Sequence, residues 1–458
     1  MASSNIGAPA AALPPGPRMP PAGQIGNWLF RPLEFLNSCR RRYGDSFSLK
    51  FPGFETPMVI ISRPEHVRAL FTERENGLPP GRTLALEPIL GARSVLLLEG
   101  SEHLARRKLM LPPFHGERMR AYESQITDIV DSEIAGWPLG SEFAIHPRMQ
   151  AVTLEVILHA VFGVSDARRL DRLRPLLGDL LDQTAGPALQ VRFLLSRRIP
   201  GMTDPLLALR ERMREADELL ALEAAERRAD PELDQRTDIL SMLVAARFED
   251  GEPMSDSELR DQLMTLLVAG HETTATALAW AFDLLLRNPG ALTRLTDEIR
   301  AGESDEYLRA TISEVLRLRP VVPLAGRRLE KPMRIDDREL PAGTDVAPAI
   351  WLTHTDPSTY ADPLAFRPER FLESPPETYS WIPFGGGIRR CLGASFAEFE
   401  MRIALREVLS RCELESALEA PEPIKRRNVT FSPKHGTPVR VMSRRDAPVR
   451  TGARAPVA

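Results

Sequence analysis

Cysteine is scarce in this chain. There are three in 458 residues, Cys39, Cys391 and Cys412. No two are spaced as Cys-x-x-Cys and none stands in a ladder with histidine, which argues against a disulfide framework or a structural zinc site. So sparse and odd a set fits a reducing compartment. Charge of either sign is not in excess: 59 basic and 63 acidic side chains leave a formal net charge of -4. Nothing global therefore calls for nucleic acid or an anionic membrane as partner. No apolar run of about 18 residues or longer occurs, so no transmembrane segment is expected. The opening MASSNIGAPAAALPPGPRMPPAG has no basic stretch followed by an apolar one, so no secretory leader is expected. The cytoplasm is the expected location. No internal repeat of fixed period is visible.

What is present is ordinary globular composition, 43% hydrophobic and 27% charged, with ample apolar material for a large core. SFSLKF and PMVIIS predict a hairpin over 46–62. From Pro64 to about 317 the Leu/Ala/Glu/Arg-rich pattern is helical. Short strands are expected again over 333–350, followed by a proline-rich loop stretch over 356–388. A last long helix is expected from Cys391 to about Arg411. The fold class is α+β, mostly α.

Two stretches do not fit a purely structural account. SDSELRDQLMTLLVAGHETTATALAWAFDLLLRN reads as one helix from Ser255 to Asn288, opened by a Ser255–Glu258 capping box and closed by Pro289-Gly290. It would be roughly 50 Å long. Its middle is polar where its ends are not: Gly270, His271, Glu272, Thr273 and Thr274. A tolerated polar patch and a helix opened against a ligand are both compatible with that stretch. The second is WIPFGGGIRRCLGASFAEFE, from Trp381 to Glu400. A phosphate loop would need a Gly-Lys-Ser/Thr ending, which is missing. The rival is a glycine-lined approach to a flat cofactor, with Cys391 held as thiolate at a helix N-terminus by amides and the helix dipole. A thiolate can be the axial ligand of haem iron. For Cys39 and Cys412 the plain account suffices, a small buried hydrophobe.

At these residues the chain resembles the cytochromes P450, haem-thiolate monooxygenases. The family's Phe-x-x-Gly-x-Arg-x-Cys-x-Gly signature is complete as Phe384, Gly387, Arg389, Cys391 and Gly393. AGHETT (269–274) resembles the family's oxygen-activating motif, EVLR supplies a Glu-x-x-Arg pair in Glu314 and Arg317, and FRPERF supplies Arg370. The resemblance covers about residues 24–442, and implies a single catalytic domain there. It would be preceded by a flexible Pro/Ala-rich lead (1–23) and followed by a disordered basic tail (443–458).

The resemblance implies haem b with Cys391 as the axial thiolate, Phe384 shielding the sulfur, and Gly393 closing the motif. His103 and Arg107, Arg389, and Arg327 with Arg328 as its rival in register, would meet the haem propionates. Gly270 would leave room for dioxygen. Glu272 and Thr273 match the family's acid–alcohol pair, a carboxylate to relay protons and a hydroxyl to hold a water chain. His271 is expected to face away from the haem. Glu314, Arg317 and Arg370 would form a buried structural network. The implied reaction inserts one oxygen atom from O2 into a lipophilic substrate, by hydroxylation or epoxidation. A non-catalytic haem-thiolate or gas-sensing protein is the alternative, against which the intact acid–alcohol pair argues.

No flavin or iron–sulfur motif is present, so a ferredoxin or flavodoxin with its reductase is implied. Arg106, Lys108, Arg118, Arg120 and Arg390 would offer it a basic patch. The segments placed over the haem, RTLALEPILGARSVLLLEG, GPALQVRFLLSRRIPGM, LLVAG and PVVPLAG, are apolar and suit a lipophilic ligand. FPGFETPM has no Lys or Arg to hold a carboxylate, which favours a neutral terpenoid over a fatty acid, with Arg82, Arg93 and Arg192 as possible anchors. LMLPPFHGERMRAY resembles a bacterial branch associated with fatty-acid, alkane and terpenoid oxidation.

Overall fold

The computed structural model describes residues 13–50, 56–78, 86–114, 116–185, 207–427 and 429–445. Its main helices are α1 (Pro21–Phe30), α2 (Pro32–Tyr43), α3 (Pro64–Thr72), α4 (Gly100–Met110), α5 (Glu123–Ala135), α6 (Ile145–Val156), α7 (Ala167–Ala185), α8 (Leu207–Ala229), α9 (Asp256–Leu286), α10 (Pro289–Ala301), α11 (Glu306–Leu318) and α12 (Ala394–Arg411). The strands are β1 (Ser46–Leu49), β2 (Met58–Ile61), β3 (Glu142–Ala144), β4 (Arg327–Arg328), β5 (Met333–Ile335), β6 (Arg338–Leu340), β7 (Asp345–Pro348), β8 (Cys412–Ser416), β9 (Ile424–Arg427), β10 (Thr430–Pro433) and β11 (Pro438–Arg444).

The expected hairpin is present, with β1 antiparallel to β2 and Phe47 opposite Ile60. It continues into a mixed sheet of order β1-β2-β7-β4, in which β2 runs parallel to β7 and Arg327 of β4 lies opposite Val346. Three smaller sheets, β5-β6, β9-β10 and β3-β11-β8, complete the strands. Sequence pattern left 412–442 without assigned elements, because β8–β11 are short and pair with each other or with β3, far away in the chain. Helices α1 and α2 were also missed. The prolines at 20 and 21 read as the end of an extended lead, whereas Pro21 and Pro32 each occupy the first helical position, where a missing N–H costs nothing.

The lead placed at 1–23 is already packed from residue 13. Leu13 joins a small core beneath the mixed sheet, and the Pro15 carbonyl accepts the Ser48 amide of β1 at 3.1 Å. At the other end β11 continues to Arg444, beyond the boundary placed at 442. The rest of the lead, the hairpin turn 51–55, Arg82, the stretch 186–206 with Arg192, the side chain of Arg118, and the tail from 446 lie outside the described residues.

The long helix α9 is the axis of the helical body. Its N-terminus carries the anticipated box, with the Ser255 side chain accepting from the Glu258 amide and the Glu258 carboxylate accepting from the Ser255 amide. It ends at Leu286, and Pro289 opens α10 rather than merely stopping α9. Trp280, Phe282 and Leu285 of α9 are fully buried in the largest core, which also takes in Met149 and Val152 of α6 and Met401 and Leu405 of α12. The indole N–H of Trp280 donates to the Phe431 carbonyl of β10 at 2.8 Å, docking the C-terminal strands on the same axis. Among the described residues, no helix is long and apolar enough to cross a membrane.

Candidate active site

Most of α9 is buried, but one face of its middle is not. Leu266, Gly270 and Thr273 are half-buried and Ala269 is exposed, while their neighbours Leu267, His271 and Thr274 are buried. Positions 266, 269, 270 and 273 share one side of a helix. The centre of the molecule's axial helix therefore presents a narrow, mainly apolar, accessible stripe. Thr273 Oγ1 donates to the Ala269 carbonyl at 2.6 Å, a bond to the preceding turn that opens helices locally. A Cβ at Gly270 would meet only Ile157 Cδ1, at 3.7 Å, so the stripe is clear at that point.

Cys391 lies in the loop before α12. The helix starts at Ala394 with Gly393 as its cap, so the thiol precedes the helix rather than opening it as expected. Its amide donates to the Phe384 carbonyl at 3.0 Å, which fixes Phe384 and Cys391 across the loop. Dense surrounding protein pushes the Cys391 thiol up in pKa, opposed by the Gly393 amide and by the Arg390 and Arg107 guanidiniums. Yet the residue keeps accessible surface. Cys391 is thus closely surrounded by protein and still exposed. Cys39 and Cys412 contrast with it: both are buried, and burial pushes each thiol up to about 11.

The glycines have a different immediate purpose from the one expected. Gly387 has φ +66, and a Cβ there would stand 2.0 Å from the Phe71 carbonyl oxygen of α3. A Cβ at Gly386 would meet the Phe71 ring at 2.4 Å. These two residues admit α3 against the cysteine loop. At Gly393 no atom lies within 4 Å of a would-be Cβ, so that side stays open.

Cations surround the loop. Arg107 is half-buried and close enough to Cys391 for each charge to act on the other. His103, one turn earlier on α4, is buried. Arg389 Nη2 donates to the Leu98 carbonyl at 2.8 Å, just ahead of α4. Arg327 is buried, with Nη2 donating to the Gly386 carbonyl at 3.2 Å and its guanidinium 5.1 Å from the Phe71 ring centroid. Its neighbour Arg328 points elsewhere and pairs with Asp345 at 3.2 Å. Of the two arginines, Arg327 is the one turned to the loop.

Glu272 and Thr273 are adjacent in sequence but face different ways. Glu272 Oε2 accepts from Gln150 Nε2 at 2.7 Å, and Oε1 accepts from Ser432 at 3.2 Å and Thr276 at 3.3 Å. Arg427 Nε lies 3.4 Å from Oε1 and His146 Nε2 3.7 Å from it. Burial raises the Glu272 pKa above the usual carboxylate range, and Arg427 and these donors oppose it. His271 is buried against α6, where Thr153 donates to its carbonyl, and burial lowers its pKa to about 4. It faces away from the accessible stripe, as expected.

The Glu314–Arg317–Arg370 network is complete. Arg317 reaches Glu314 twice, at 2.6 and 2.8 Å, and Arg370 reaches it at 3.1 Å. His354, missed in the sequence, ties this network to the cysteine loop. Its Nε2 accepts the Ile382 amide at 2.7 Å, so its Nδ1 carries the proton and donates to the Arg317 carbonyl at 3.1 Å. Burial holds it neutral, with a pKa lowered to about 3.

The cytochrome P450 family profile matches residues 14–438. The chain belongs to the cytochrome P450 family. Cytochrome P450 135B1 of Mycobacterium tuberculosis is 43% identical over 98% of this chain and 95% of its own length. Cytochrome P450 138 of the same organism is 38% identical over 95% of this chain and 99% of its own. Among solved structures, retinoic acid-bound cyanobacterial CYP120A1 superimposes with a TM-score of 0.80 at 25% identity, covering 94% of this chain and 100% of that one. CYP175A1 of Thermus thermophilus gives 0.69 at 28% identity, covering 92% and 97%. This P450 is a haem-thiolate monooxygenase whose cofactor is haem b, held by Cys391. Its own residues fit that group: an exposed cysteine in a loop closely surrounded by protein, an open side at Gly393, and three arginines at the same loop.

The expected basic patch needs correction. Arg106 is buried, ion-paired with Glu258 and stacked 4.7 Å from the Phe248 ring centroid, so it is not on the surface. Lys108 is exposed but paired with Glu249 at 2.7 Å. Arg120 and Arg390 remain exposed.

Proposed function

We propose that this P450 hydroxylates or epoxidises a lipophilic molecule, a terpenoid or fatty acid, with electrons from a separate ferredoxin or flavodoxin. The observation that carries this is the accessible stripe of α9, in which Leu266, Ala269 and Gly270 are apolar and Thr273 supplies one hydroxyl. An apolar wall with few polar groups selects for lipophilic ligands. The retinoic acid bound to the cyanobacterial relative, an isoprenoid acid, belongs to the same broad class. The catalytic unit is proposed as one domain. Arg120 and Arg390 are the remaining candidates for contact with an acidic electron carrier.

When bound, the haem supplies activation of dioxygen, and the chain supplies position and protons. Arg107, Arg327 and Arg389, with His103, would neutralise the propionates, since buried carboxylates are costly without such partners. Phe384 shields the sulfur and Gly393 keeps its side open. Gly270 leaves room beside the stripe. Thr273 holds water at the stripe. Glu272, a partly paired carboxylate whose pKa burial raises, passes protons from the polar cluster behind α9 toward Thr273.

The test is a Soret titration of the ferric protein with a sesquiterpene and, in parallel, a long-chain fatty acid. A spin-state shift with the terpene alone supports a neutral substrate. A shift with the fatty acid alone assigns a basic anchor, with Arg93 the first described candidate. No shift with either ligand overturns the lipophilic reading.

A further inference from the structure

Residues 91–98 run from the side of α9 to the cysteine loop, and they are fastened at both ends. At the α9 end, one turn ahead of the accessible stripe, two side chains grip the segment's backbone and a third holds its Ser94 hydroxyl. Asp261 Oδ2 accepts the Arg93 amide at 2.9 Å. Gln262 Oε1 accepts the Val95 amide at 3.0 Å, and its Nε2 donates to the Arg93 carbonyl at 2.7 Å. Ser94 and Thr265 share a hydroxyl–hydroxyl bond of 2.7 Å. Thr265 already donates to the Asp261 carbonyl at 2.5 Å, and a hydroxyl has one proton, so Ser94 is the donor of that pair. Ser94 Oγ then accepts the Leu96 amide at 3.2 Å.

The fit is close. Gly91 has φ +85, and a Cβ there would lie 2.0 Å from Asp261 Oδ1, so only glycine admits this approach. Ser94 and Gln262 are fully buried and Thr265 is 3% exposed. Water cannot replace a broken bond at such positions without opening the segment. At the far end Arg389 holds the Leu98 carbonyl, and Glu99 Oε1 accepts the Leu78 amide at 2.5 Å. Residues 77–78 adjoin β4, which carries Arg327, through a bridge between Gly77 and Arg328.

We propose that Asp261, Gln262 and Thr265 clamp residues 91–98 into a fixed wall beside the recess over Cys391, and so act as positioning residues that limit the size of ligand admitted. The wall joins the stripe of α9 to the thiolate loop, so widening the recess on this side requires breaking bonds in the clamp. Leu96 and Leu97, half-buried in the middle of the wall, are the side chains whose position the clamp sets. The inference rests on the recess being the haem pocket.

The experiment uses the haem-loaded full chain and two azoles that ligate ferric haem, imidazole as the small probe and clotrimazole as the large one. Association is followed by stopped flow at the Soret band. Gln262→Leu keeps the side-chain shape and removes both amide bonds. It is expected to raise the clotrimazole association rate about tenfold and leave imidazole unchanged. Ser94→Ala and Thr265→Val each remove the one hydroxyl–hydroxyl bond between the segment and α9, together with a local bond to the Leu96 amide or the Asp261 carbonyl, and are expected to raise it about threefold. Equal changes for both azoles, or none for either, overturn the clamp. If Gln262→Leu yields no haem-loaded protein, the two milder variants decide, and an unchanged azole ratio in both overturns it. A wild-type protein that binds neither azole defeats the haem-pocket reading rather than the clamp.

Discussion

Two glutamates, one fully buried and one largely enclosed, are handled in opposite ways. Glu314 is fully buried and saturated with donors: Arg317 twice, Arg370 once, and the Arg367 amide at 2.9 Å. Arg317 is in turn saturated by the carbonyls of His354, Pro363 and Ala365. Such a charge pair is locked, and proton exchange there would break the structure that holds it. Glu272 is also mostly enclosed, but its donors are an amide, two hydroxyls and one arginine at a longer distance. Burial is not fully offset, and its pKa rises. A fully paired carboxylate builds the fold, and a partly paired one is available to chemistry. The sequence motifs Glu-x-x-Arg and Glu-Thr name both residues, but the pairing is what separates their roles.

The largest expected effect comes from breaking the saturated side. Arg317→Ala leaves a buried carboxylate short of its two strongest donors, at a cost of about 3–5 kcal/mol. It is expected to give little or no haem-loaded protein, read from haem content and the urea midpoint. A variant with normal haem loading would erase the distinction drawn between the two glutamates. On the other side, Glu272→Gln keeps the shape and removes the exchangeable proton. It is expected to lower turnover about 100-fold while haem content and thermal midpoint stay near wild type, measured as product per minute with a surrogate electron carrier. Loss of stability matching the loss of turnover would make Glu272 structural, like Glu314.

A smaller effect is expected at Thr273. Thr273→Ala should leave electron consumption within about twofold and lower product per electron, with reduced oxygen species as the balance. Unchanged product per electron would remove Thr273 from proton delivery.

The smallest effect concerns a third glutamate that sharpens the comparison. Glu400 of α12 is buried, its Oε1 has no hydrogen-bond partner among the described residues, and burial pushes its pKa up to about 8. A raised carboxyl pKa means that the folded state holds a proton the unfolded chain has lost. Its contribution is therefore complete below the ordinary carboxyl value of 4.5 and declines as pH rises toward about 8. Glu400→Gln should flatten that decline in urea midpoints across the window and stabilise the protein at its alkaline end. An unchanged slope would mean that Glu400 is paired in solution.

Legibility in the sequence followed the range of the interaction. The α9 capping box involves residues three apart, Ser255 and Glu258, and was readable directly. So were the β1–β2 hairpin, the Phe384–Gly393 motif and the Glu314–Arg317 pair one helical turn apart. The C-terminal strands were not, because β11 finds β3 across most of the chain. His354 was not, because its two partners, Arg317 and Ile382, lie 37 and 28 residues away. The basic patch was misjudged because Arg106 and Lys108 are close in sequence but differ in burial, which no local pattern encodes.

By itself, the sequence determined the family, the cysteine that binds the haem and the long helix with a polar middle, because each is written in residue types at short fixed spacing. Only the tertiary structure decided which of Arg327 and Arg328 turns to the haem loop, that Gly386 and Gly387 make way for Phe71, and that Glu272 looks away from Thr273. Those outcomes depend on which surfaces meet once distant elements pack, and on which polar groups that packing leaves without water.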